Sequence, residues 1–63
     1  MEKWHIAIIK KAFSRCWGLQ KLVIEAVGSE DTLLMDGVIS ELAHQTGFAE
    51  KFIKDNIKTI SEL

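Results

Sequence analysis

Three lysines near the C-terminal end, Lys51, Lys54 and Lys58, recur at i, i+3 and i+7. On one helix these positions share a face, and three ammonium groups in a row suit phosphate oxygens or the acceptor edge of guanine. The same spacing is also what a solvated helix face carries, and Glu50 and Asp55 beside it would repel a phosphate backbone. At the other end of the chain, Lys3, Lys10, Lys11 and Arg15 are interleaved with Trp4, Phe13 and Trp17. A basic amphipathic helix with aromatics can insert into a partner's groove. Trp4, Arg15 and Trp17 are of the residue types that dominate protein–protein contacts. The apolar face of such a helix can equally be core, with its lysines solvated.

Other chemistry is thinly represented. His5, Cys16 and His44 are the soft metal-ligand candidates, and none stands in the paired spacing of a zinc site. No metal or other cofactor is expected. The chain holds no nucleophile elbow, no glycine-rich phosphate loop and no defensible carboxylate pair. At 63 residues it has little room for an apolar pocket of several hundred Å³, so the expectation is that it is not an enzyme. A single cysteine cannot close an internal disulfide, which points to a reducing compartment. The longest apolar runs, Ile6-Ala7-Ile8-Ile9 and Leu33-Leu34-Met35, fall far short of the ~18–20 residues of a membrane span. A cytoplasmic protein without a membrane partner is the expectation.

The elements that must position these residues are helical. The chain has no proline, and 48% of it is hydrophobic at a net charge of -1, which argues against disorder. Apolar residues recur at helical spacing throughout, so the fold class is all-α: a compact bundle of three or four helices in one domain, residues 1–63. The first helix runs from about Glu2 to Trp17, with Ile6, Ile9, Phe13, Cys16 and Trp17 inward. Gly18 marks a bend or a short break. Leu19, Leu22, Val23, Ala26 and Val27 form the next stripe. Gly28 suits a left-handed helix end, and Ser29, Asp31 or Thr32 can cap a helix from about Asp31 to His44. That helix buries Leu34, Met35, Val38, Ile39 and Leu42. After a turn at Gln45-Thr46-Gly47, a last helix from about Ala49 to Glu62 faces Ala49, Phe52, Ile53, Ile57 and Ile60 inward.

One segment carries a more specific pattern. Ala43, Gly47 and Ile53 stand at the spacing of a small residue, a glycine four positions on, and a branched apolar residue six positions after that. Two helices that cross closely need a small side chain at Ala43, and the sharp turn needs a residue tolerant of positive φ at Gly47. Ile53 locks the second helix onto the first, with Leu42 and Phe48 filling the angle between them. Residues 39–58 thereby resemble the helix-turn-helix of DNA-binding proteins. They depart from the pattern at Ala49, where the family usually has a capping serine or threonine, and at Asn56, where an apolar residue is usual. The resemblance implies a helix-turn-helix-like C-terminal pair in a transcription-regulating protein. Its last helix would present Glu50, Lys51, Lys54, Asp55 and Lys58 to double-stranded DNA.

Charge distribution leaves a second class of function open. Lys3, Lys10, Lys11, Arg15 and Lys21 face only Glu2 within residues 1–21. Residues 22–50 carry Glu25, Glu30, Asp31, Asp36, Glu41 and Glu50 with no lysine or arginine. The pI of about 6.0 lies well below the ~9 usual for an autonomous DNA-binding domain. A helical protein–protein adaptor or inhibitor, acting through the tryptophan-bearing first helix or the acidic middle, is the alternative. A basic first helix and an acidic middle also let one copy meet another, so a homodimer is expected.

Overall fold

The computed structural model describes all 63 residues. It is all-α, with five helices in chain order: α1 (Lys3–Arg15), α2 (Leu19–Gly28), α3 (Thr32–Thr46), α4 (Glu50–Asp55) and α5 (Ile57–Ser61). The expected count of three or four rises to five because the chain is interrupted at both Gly18 and Asn56. No helix is long and apolar enough to cross a membrane.

Each boundary has a local cause. The Cys16 amide still donates to the Ala12 carbonyl, but Gly18 enters the left-handed region at φ 89° and turns the chain into α2. Between α2 and α3 the Ser29 hydroxyl accepts from the Asp31 amide at 3.0 Å. Asp31 in turn caps α3: its Oδ1 accepts from the amides of Leu33 at 3.0 Å and Leu34 at 3.2 Å, satisfying two donors that would otherwise lack partners. Gly28 corrects the expectation of a left-handed end. It is the last residue of α2 itself, and positive φ occurs only at Gly18 and Gly47.

The expected continuous helix from Ala49 to Glu62 is also corrected. At Asn56 the backbone sits at φ -114° and ψ 13°, and its amide turns to the Ile53 carbonyl at 3.2 Å. The Asn56 side chain supplies the reason. Its Nδ2 donates to the Phe52 carbonyl at 2.8 Å, the acceptor that the Asn56 amide would take in an unbroken α-helix.

The core gathers Ile9 from α1, Leu19, Val23 and Ala26 from α2, Val38, Ile39 and Leu42 from α3, Ile53 from α4, and Ile57 and Ile60 from α5. Helix α2 packs on α3 and α5, and α3 also packs on α1 and α4. Leu22, expected in the α2 stripe, stands at its flank and stays exposed, and Ala49 is exposed at the start of α4. Only 11 of 63 residues are buried, so each fully enclosed side chain, at about 1.5–3 kcal/mol, is a large share of the net stability.

The glycines give a test with opposite signs. A Cβ at Gly47 or at Gly37 would meet nothing within 4 Å, so sterics with neighbours are removed from the comparison. Gly47→Ala should cost about 1–2 kcal/mol because an L-residue is strained at φ 79°. Gly37→Ala, in the middle of α3, should stabilise by about 0.4–1 kcal/mol. Urea unfolding of the three proteins checks both, and equal effects at the two positions would contradict the turn geometry.

Candidate functional site

The segment from α3 to α4 is built around Gly47. Its amide donates to the Ala43 carbonyl at 2.8 Å, and the residue closes α3 in the left-handed conformation at φ 79°. Thr46 braces the same corner: its hydroxyl donates to the Leu42 carbonyl at 2.6 Å and accepts from the Phe48 amide at 3.2 Å. Ala49 is extended and caps α4 with no side chain, and the Ile53 amide reaches back to the Ala49 carbonyl at 3.1 Å. Ile53 is fully buried and Ala43 half-buried, so the small residue and the branched residue both serve the contact between α3 and α4.

An aromatic cluster holds this corner against α1. His5 lies 5.3 Å from the ring of Phe48 and 4.7 Å from that of Phe52, with Phe48 and Phe52 5.2 Å apart edge to face. Trp4 stacks on His5 at 3.8 Å and meets Phe48 at 5.9 Å. The Glu2 amide donates to His5 Nδ1 at 3.0 Å, which fixes the ring within the first turn of α1. Sequence reasoning weighed His5 only as a metal ligand and missed its packing role. The signal was available in the spacing of His5, Ile9, Ala12 and Cys16, which continues the inward stripe of α1 by one further turn.

The expected site residues are brought together only in part. Lys51 and Lys54 lie one turn apart on α4 and are exposed, as are Glu50 and Asp55 on the same helix. Lys58 is exposed too, but it belongs to α5. The i, i+7 register with Lys51 holds only along an unbroken helix, and Asn56 breaks it. The proposed protein-contact residues divide more sharply. Trp4 is engaged in the aromatic cluster, whereas Trp17, expected on the inward face of the first helix, lies beyond the end of α1 and is 99% exposed at the corner before α2. Arg15 is exposed in the last turn of α1. Cys16 packs half-buried against the core, and His44 is exposed in the last turn of α3.

The two kinds of aromatic should respond differently to truncation. Phe48→Ala removes a ring that bridges α1 to α4 and should lower stability by about 2–3 kcal/mol. Trp17→Ala should stay within about 0.5 kcal/mol, because a side chain already in water loses nothing on unfolding. Chemical denaturation followed by far-ultraviolet circular dichroism checks the pair. No family model, curated protein or solved structure matches the chain.

Proposed function

We propose that this protein is a small regulatory DNA-binding protein of the helix-turn-helix kind, acting by binding rather than by catalysis. The observation that carries the reading is the Gly47 corner, with its left-handed glycine, half-buried Ala43 and fully buried Ile53. These are the three positions at which the sequence resembles that family. In this reading α4 is the element offered to the duplex. Its six residues extend about 9 Å, short enough to enter a major groove ~12 Å wide by one end.

The lysines take separate roles in this reading. Lys51 and Lys54, one turn apart, follow the groove, while Lys58 on α5 meets a flanking phosphate. Glu50 and Asp55 oppose the phosphate backbone, so affinity is modest, and its salt dependence is set by the few phosphate contacts the lysines make. The aromatic cluster supports the reading as well. By fixing α4 to α1 through Phe48 and Phe52, it presents the lysines from a rigid support.

Replacing Lys51, Lys54 and Lys58 together by alanine should weaken duplex binding. It should also flatten the log–log salt dependence by up to about one unit for each lost phosphate contact. Stability should change little, because all three side chains are exposed. The measurement is a duplex titration at two salt concentrations on wild type and triple variant in parallel. A wild type that binds no duplex at low ionic strength and tens of micromolar protein overturns the reading.

A further inference from the structure

Helix α2 has one face that the fold does not use. Leu19, Val23 and Ala26 are buried inward, while Lys21, Ile24, Glu25 and Gly28 point outward and are exposed, Ile24 to 52%. Helical spacing puts Lys21, Ile24 and Gly28 in one line. Trp17 leads into that line, since Trp17 and Lys21 share a groove of about 440 Å³ with Phe13, Gly18 and Gln20. Beyond the other end of α2 the chain runs through Glu30 and Asp31 to Leu33, which is 82% exposed. Along this stretch of chain Trp17, Ile24 and Leu33 are three large apolar side chains left in water. The stretch is also polar from end to end: Arg15 and Lys21 lie at its start, and Glu25, Glu30 and Asp31 lie at its end.

We infer that this face pairs with the same face of a second copy, the two α2 helices running antiparallel about a two-fold axis that passes midway between Lys21 and Glu25, level with Val23. A two-fold operation sets each residue against the one equally far beyond the axis on the other copy. Lys21 of each copy then meets Glu25 of the other, the two Ile24 side chains lie one residue to either side of the axis and touch across it, and Trp17 comes opposite Ser29 and the acidic segment that follows. Parallel pairing would instead place lysine on lysine and glutamate on glutamate. A different protein would have to carry the reverse charge order independently, whereas a second copy has it by symmetry. Helix α2 is about 15 Å long, so the contact falls at the small end of stable interfaces. The pairing is independent of the DNA reading, because none of its residues belongs to α4.

Reciprocal charge reversal tests both the partner and the orientation. Sedimentation equilibrium of the wild-type protein should show a monomer–dimer transition. Lys21→Glu and Glu25→Lys should each shift its midpoint at least about tenfold to higher concentration, because like charges then meet twice across the axis. Mixing the two single variants should restore association, since the mixed pair recovers opposite charges at both contacts. The double variant Lys21→Glu/Glu25→Lys should dimerise on its own. Circular dichroism of each variant confirms that helicity is kept, and the mixture reports on pairing even where one variant is less stable. A wild type that stays monomeric to millimolar concentration overturns the inference. So do single variants that associate like the wild type, or a mixture that remains monomeric. Duplex titration of the same samples reads the DNA activity separately.

Discussion

A chain without proline must end its helices by other means, and every face this protein offers follows from how it does so. Two ends use glycine in the left-handed region, at Gly18 and Gly47. Two use a side chain that takes over a backbone partner: Asp31 accepts amides at the start of α3, and Asn56 donates to a carbonyl inside the last helical segment. The Gly18 reversal leaves Trp17 at an outer corner, and the Gly47 reversal sets α4 against α3. The Asn56 interruption lets Ile57 and Ile60 enter the core from a direction separate from that of Ile53. A straight helix from Ala49 to Glu62 would hold Ile53, Ile57 and Ile60 on one rigid stripe. The break gives α5 the freedom to pack on α2 while α4 stays on α3.

The consequence is a thin core with a demanding centre. Val23 and Ala26 are fully buried between neighbours, and their small volumes let α3 and α5 approach α2 closely. A helix sandwiched in this way spends a narrow stripe inward and leaves a broad face outward. On α2 that outward face still includes Ile24, with Leu22 at its flank, which is why apolar surface remains exposed despite the short chain. The aromatic cluster adds packing between α1 and the α3–α4 corner. There Phe48 and Phe52 are half-buried and pack on His5, with Trp4 against the edge of Phe48.

Much of this was legible in residue order. The all-α class, the break at Gly18, the capping region around Asp31 and the turn at Gly47 follow from periodicity and from residue types with distinct backbone preferences. Less legible were features set by competition or by neighbours. Asn56 reads as a polar position on a helix until its amide group is seen to occupy the Phe52 carbonyl. Gly28 has the residue type of a left-handed end, but Ser29 makes the exit in extended backbone, so the glycine keeps helical geometry. Leu22 fits the apolar period of α2 as well as Val23 does. Only the positions of α3 and α5 decide which of the two is enclosed. At the candidate site the lysine spacing was visible, while its division between α4 and α5 depended on Asn56. The two tryptophans were equivalent as residue types. His5 separates them, because it gives Trp4 a stacking partner.

The charge blocks have a structural logic that net charge conceals. A net charge of -1 says little, since the acidic residues of α2 and α3 lie apart from the lysines of α4 and α5. On α2 the charges change sign along the helix, the arrangement that an antiparallel twin neutralises and a parallel one does not. Lys21, Ile24 and Glu25 belong to α2, so a pairing through them uses none of the α4 lysines. A two-fold pair built on α2 would therefore carry two copies of α4 at fixed separation. One six-residue helix with two lysines makes few contacts with a duplex, and two joined helices convert the second engagement into an intramolecular one. The same pairing would offset Glu25 with Lys21, removing part of the acidic field that opposes a phosphate backbone. Glu25, an acidic residue that would oppose a phosphate backbone, is thus the one that the α2 pairing uses.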